Sequence, residues 1–332
     1  MADLYWLGGN SNDANNFSAT PGGAGGAGTP TSADNVYWHT VPASNTYTIA
    51  AALSCLSFDF TGANNNPTID GNQVINCYGS LTLIEDMTLT WTGLLRLYGA
   101  TTGKTIKTCG KTLASIEHDA IGGGWTLLDD LSISGTFTQY AGSFSTGGKN
   151  MTIGNRFNSN GTSVRTLTVD NSTITINGGA SGTAWNMTTP TNLTFSSTNS
   201  TIILTVAGNT AFAGGGQAFN NVRFSATQVT VTGSSTFNSL VVDSGKTCIL
   251  TVGTTQTAIS ITWDGATISS SSAGTAATLS VASGTVTMTG GSLKDNAATG
   301  GATFLTVGVL NLGGNSGWLF PGGILTCRSK FW

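Results

Sequence analysis

The residues of this chain best suited to chemistry are its acids, and they come in pairs. Glu85-Asp86, Glu117 and Asp119 on either side of His118, and Asp129-Asp130 all fall within one stretch of 46 residues. Two carboxyl groups facing each other across a groove can cut a glycosidic bond, one donating a proton while the other attacks or activates water. If successive laps of chain piled these segments together, Glu117, Asp119, Asp129 and Asp130 would be the catalytic set. The opposing reading is that Asp marks turns, because its carboxylate bonds nearby backbone; IED, EHD and LDD recur as a turn position would. His118 has the chemistry of a general base, but no Ser or Cys is positioned beside it, and the spacing places it as a solvated side chain in a polar turn. Lys104, Lys107 and Lys111, in TTGKTIKTCGK, form the densest positive patch and read as a solvated corner rather than an anion site.

Neither a metal nor a cofactor is expected. The five cysteines (Cys55, Cys77, Cys109, Cys248, Cys327) are scattered, contain no C-x-x-C, and have only two histidines, His39 and His118, to assist them. They read as small buried apolar residues. PGGAGGAG at 21–28 lacks the Gly-Lys-Ser/Thr ending of a phosphate loop, and no helix follows it. With 12 Lys+Arg against 15 Asp+Glu, no basic stripe exists for nucleic acid. No apolar stretch approaches the roughly 20 residues of a membrane-spanning helix, so no membrane insertion is expected. Met-Ala-Asp-Leu-Tyr-Trp lacks the basic and apolar regions of a secretory signal, which implies synthesis in the cytoplasm. Trp91, Trp125, Trp185 and Trp263 are able to stack on sugar rings, but at apolar strand positions they read as core. The Thr-x-Thr runs (TLTWT, TITI, VTVT) have the character of an ice-binding face, which unequal repeat lengths would spoil.

The elements that must position these groups are strands. Charged residues are only 8% of the chain while hydrophobic ones reach 39%, which excludes a charged coiled coil and excludes disorder. The apolar residues alternate in short bursts bounded by Gly, Asn and Ser, rich in the Thr, Val and Ile that suit a pleated surface. LTVDNSTITING (167–178), VRFSATQVTVTG (222–233) and LSVASGTVTMTG (279–290) share one template: apolar-x-apolar, four residues, apolar-x-apolar-x-Gly. LTLIEDMTLTWTG (81–93) and LTFSSTNSTIILTVAG (193–208) fit with insertions. From Leu167 the bursts begin 26, 29, 18, 19, 20 and 26 residues apart. A period near 20 residues predicts a right-handed parallel β-solenoid of roughly a dozen coils, with loops of unequal length at one corner. A β-sandwich of hairpins is the alternative. The expected organisation is an N-terminal cap and attachment segment over 1–45, repeats over 46–312, and an aromatic C-terminal cap over 313–332 (Trp318, Phe320, Phe331, Trp332, with Arg328 and Lys330).

The opening carries Trp6-Leu7-Gly8-Gly9, Asn16-Phe17-Ser18, and Pro30 to Asp34 with Val36 following. It resembles the start of β-rich repeat proteins of tailed bacteriophages and bacterial surfaces, which show W-x-G-G, Asn-Trp-Ser and Pro-x-x-Asp-x-Val in that order. Phe17 replaces the usual Trp, and the Pro-to-Asp spacing is one residue looser. YGSLTL (78–83), GKTL (110–113) and GGWTLLDDL (123–131) are similar to phrases in phage virion proteins. The resemblance implies a non-enzymatic virion protein (fibre, spike or capsid-decorating subunit) bound to other capsid or tail proteins, with Trp6, Phe17, Tyr37 and Trp38 as the attachment residues. A homotrimer is expected because smooth Thr/Val/Ile faces with so few charges would otherwise expose adhesive strand surface. The resemblance also implies two alternatives: a tailspike that depolymerises polysaccharide, and an adhesin for a host surface glycan.

Overall fold

The computed structural model describes residues 1–39, 44–63, 65–178 and 182–321. It is an all-β column of about 13 stacked parallel coils, a β-solenoid. Each full coil lays one strand on each of three faces. The first face begins with Asp3–Trp6, Asn35–Trp38, Phe58–Asp59, Leu81–Thr82 and Lys104–Lys107, each in parallel register with the next. The second begins with Gly9–Asn10, Thr46–Ile49, Thr68–Gly71 and Thr88–Leu89. The third begins with Leu53–Cys55, Ile75–Cys77 and Leu94–Leu97. Ser115–Leu127 and Thr136–Ser145 are long strands that start on the third face and turn the corner onto the first. Among the described residues the only antiparallel contacts are Asp3–Trp6 against Phe17–Ser18 and the Ser272–Thr275 bridge, so the hairpin sandwich is excluded.

Alternation explains the faces. In a strand every second side chain points inward, and because the register is parallel each inward residue meets its counterpart one lap on. Leu53, Ile75, Leu95, Ile116, Phe137, Phe157, Trp185, Phe212, Val231 and Leu250 make one such column on the third face. All of them are buried, and each is worth about 1.5–3 kcal/mol of apolar transfer. The middle is an aromatic stack: Phe137–Phe157 at 5.2 Å, Phe157–Trp185 at 4.2 Å and Trp185–Phe212 at 6.2 Å. Rungs about 4.8 Å apart make the column roughly 60 Å long.

The twelve-residue phrase proves to be a corner rather than a coil. In 167–178 and 279–290 it joins the first face to the second, whereas in 222–233 it joins the second to the third. Loops also swell at more than one corner, with 98–103, 159–164 and 187–192 between the third and first faces and, between the first and second, 61–63 and 65–67. The final glycine of the phrase has a steric reason at Gly178, where a Cβ would overlap the Gly154 carbonyl of the coil beneath.

Residues 1–39 are part of the column, since Asp3–Trp6 and Asn35–Trp38 are its first two rungs. Phe17–Ser18 runs antiparallel along the open edge of Asp3–Trp6 and covers it. The glycine-rich loop is held by its own chain, with the Ala27 N–H donating to the Phe17 carbonyl at 3.0 Å and Gly23 to Thr20 at 3.1 Å. At the other end Trp318 is buried against Trp263 and Phe304 and donates its indole N–H to Asn296 at 3.0 Å. Phe331, Trp332, Arg328, Lys330 and Cys327 lie outside the described residues.

Candidate functional site

The column separates the acids. Asp129 and Asp130 sit at the corner between the first and second faces, and both tie coils together. Asp129 accepts the Thr108 N–H at 2.9 Å and the Cys109 N–H, both from the coil below, and Cys109 has a left-handed φ of 48°. Asp130 accepts the Asn150 N–H at 2.8 Å, and the Asn150 side chain in turn accepts the Thr173 N–H at 2.9 Å. One polar turn thus links four successive coils. Glu85 and Asp86 are exposed at that same corner two coils below. Glu117 and Asp119 are elsewhere, on and just beyond the third face, so the four sequence candidates share no groove.

Glu117 does line a groove, with a volume of about 340 Å³, bounded by Thr92, Gly93, Leu94, Ser115, Thr136 and Thr138 among others. Alternation positions it. Leu94 and Arg96 point outward from one strand, Ser115 and Glu117 from the next, and Thr136 and Thr138 from the third, in register. Glu117 accepts from the Arg96 Nε at 2.8 Å, with their side chains 29% and 37% exposed. The hydrogen bond to Glu117 raises the Arg96 guanidinium above its ordinary value, and the nearby Tyr98 and Tyr140 act in the same direction. Tyr78 leans on Tyr98 with ring centroids 5.8 Å apart, and Tyr140 is 42% exposed. Asp119 is exposed beyond a break in register between His118 and Asp119.

Two of the charged residues read as solvated are in fact buried. His118 is 0% exposed, edge-on to Trp125 at 5.2 Å and near Phe144 at 6.1 Å, and neither ring nitrogen has a hydrogen-bond partner. Burial, assisted by the charge of Lys104, pulls its pKa down to about 4. Lys104 is 7% exposed; its ammonium lies 4.5 Å over the Trp125 ring and donates to the Thr101 carbonyl, and burial lowers its pKa. The physical reason is the corner. His118 occupies an inward position aligned with Leu97, where alternation overrides residue type. Lys107 is exposed and Lys111 half-buried, as a solvated patch requires.

Sequence reasoning passed over Arg165. It is 1% exposed and donates to the carbonyls of Ser159, Gly161, Ser163, Thr189 and Thr191 and to Ser159 Oγ. It clamps the loops of two successive coils, and among the described residues no carboxylate accepts from it. Burial lowers its pKa from the ordinary arginine value. A lone Arg at an inward strand position was the available signal. Of the attachment residues, Trp6 and Phe17 are fully buried and stacked at 5.4 Å, and Trp38 is 8% exposed. Tyr37 is half-buried, stacked on Tyr5 at 5.6 Å. Trp91, Trp125, Trp185 and Trp263 are all core. Cys55, Cys77 and Cys248 are buried free thiols, and burial pushes Cys248 to about 12.

No helix among the described residues is long and apolar enough to cross a membrane, and no group of three or more His, Cys, Asp or Glu among them is arranged to hold a metal. No protein-family model, curated protein or solved structure matches the chain.

Proposed function

We propose that this chain is a non-enzymatic structural subunit of a tailed-phage virion, a fibre, spike or capsid-decorating protein that works as a stiff rod. The observation that carries the mechanical part is where the carboxylates go. Asp129 and Asp130 fasten one coil to the next, as does Asp170, which accepts from Ser196 Oγ at 2.7 Å and the Thr198 N–H at 2.6 Å. Together with an unbroken apolar column, such ties resist bending and end-fraying, which is what a projecting rod needs. The virion part rests on the likeness of the opening and body phrases to phage proteins. The homotrimer reading is supported by exposed side chains on the flanks, Ile121 at 74%, Val164 at 75% and Ile259 at 74%, which a neighbouring copy would cover.

Immunogold labelling of particles from an infected culture tests the location: label on heads or tails is expected, and unlabelled particles overturn it. Sedimentation tests the assembly: a trimer is expected, and a stable monomer at micromolar concentration refutes it. The depolymerase alternative needs a second carboxylate facing Glu117, and among the described residues Asp129 and Asp130 are committed to another corner. New reducing ends after incubation with host capsule would revive it.

A further inference from the structure

We infer that Cys55 and Cys77 are a disulfide-forming pair, a site where a low-molecular-weight disulfide oxidises the chain and clips its first two third-face rungs together. The register places the two thiols. Cys55 is the direct partner of Cys77 across adjacent parallel strands, and both occupy inward positions with 0% exposure. Adjacent rungs are about 4.8 Å apart, within the Cα separation of roughly 4.4–6.8 Å that a disulfide spans. The Cys77 sulfur is turned toward its partner's coil, since it donates to the Leu56 carbonyl at 3.7 Å as well as to Gly79 at 3.3 Å. Among the described residues no other cysteine is aligned with a second one. Cys248 stands between Val229 and Ile268, and Cys109 sits at the corner between the first and second faces, its N–H held by Asp129.

Position in the column gives the oxidant its way in. Leu53–Cys55 is the first rung of the third face, and among the described residues its ladder is shared with Ile75–Cys77 alone. End rungs open more readily than central ones, so brief fraying of this strand exposes the Cys55 thiol. Its thiolate attacks one sulfur of the small disulfide, forming a mixed disulfide and expelling one thiolate. As the rung closes, the Cys77 thiolate attacks the Cys55 sulfur, the Cys55–Cys77 bond forms, and the second small thiolate leaves. The two protons of the protein thiols end on the two released thiols; the chain is oxidised by two electrons and the small disulfide reduced by two. Contact with Cys55 and the charge of Lys104 hold the Cys77 thiol below its ordinary value, which favours the attacking form. A relaxed bridge brings the Cβ atoms to about 3.8 Å, so the rungs must close by about an ångström on their inward side. That strain keeps the bond reducible and the clip reversible.

The test incubates the native full chain with oxidised glutathione in mildly alkaline buffer, followed by acid quenching, intact mass and non-reducing peptide maps. The chain is expected to lose the mass of two hydrogens and to yield a peptide joining Cys55 to Cys77, both changes reversed by dithiothreitol. Cys55→Ala and Cys77→Ala should each abolish the bridge, and Cys248→Ala should leave it, with circular dichroism verifying the fold of each variant. In the bridged parent, amide exchange of Leu53–Cys55 should slow about tenfold or more, because the bond closes the loop between residues 55 and 77. The inference is overturned if Cys55 and Cys77 remain free thiols, if the bridge maps to other cysteines, or if the bridged chain exchanges as fast as the reduced one. None of these outcomes bears on particle labelling, so the thiol pair and the virion reading fail separately.

Discussion

Replacing His118 with Leu should make the column less sensitive to acid. The imidazole is sealed against Trp125 and Phe144, the charge of Lys104 is felt there, and its folded pKa is about 4 against an ordinary histidine value of 6.5. Above pH 6.5 the ring is neutral in both folded and unfolded chains, and its titration contributes nothing. As pH falls below 6.5 the unfolded chain takes up a proton that the folded chain refuses, so stability drops by about 1.4 kcal/mol per pH unit. The loss levels off below pH 4, having reached about 3 kcal/mol. His118→Leu removes this dependence, and at pH 7 it also removes two unpartnered buried nitrogens, a gain of about 1 kcal/mol or more. Stacked coils open locally rather than all at once, so the assay is amide hydrogen exchange of Trp125–Leu127 in parent and variant from pH 7 to 4, corrected for intrinsic rates. The opening free energies should diverge with falling pH. If the two proteins lose protection in parallel, to within about 1 kcal/mol, His118 is not held neutral by its surroundings and the reasoning is refuted.

Arg165→Met should free the loops at 159–164 and 187–192, because five carbonyls lose a charged donor. A cost of roughly 3 kcal/mol would show as new protease cleavage in those loops, and an unchanged digestion pattern would count against the clamp. Trp185→Ala opens a void between Phe157 and Phe212 in the aromatic stack, and about 3–5 kcal/mol of local stability should be lost, read as a lower denaturant midpoint for the central coils. Asp129→Ala leaves the Thr108 and Cys109 N–H groups without their carboxylate. Their exchange should accelerate by the equivalent of about 1.5–3 kcal/mol, whereas Asp129→Asn should retain part of the protection.

The strands and their inward residues were readable because alternation is local. Leu167, Val169, Ile174 and Ile176 mark themselves by type and spacing, and all four are buried. The same rule correctly placed Trp91, Trp125, Trp185 and Trp263 in the core, and the turn reading of Asp129 and Asp130 followed from the backbone chemistry of Asp. Where residue type was weighed above position, the expectation failed: His118 and Lys104 looked soluble and are buried, and Arg165 drew no notice. Their alignment with Leu97, Trp125 and Gly142 is a fact of register.

What the amino-acid order determined by itself was the all-β character, the parallel solenoid and which side of each strand faces inward. These follow from a two-residue period and a recurring corner, both contained within a dozen residues. Only the folded column decided which corner each phrase occupies and which side chains become neighbours across coils. Coil lengths vary, from 18 residues between Val222 and Leu240 to 32 between Leu4 and Val36. Loop closure costs little extra for such insertions, so sequence distance does not set height on the column. The register is fixed by the sum of apolar contacts along every face. That sum alone brings Glu117 to Arg96 and carries it away from Asp129 and Asp130.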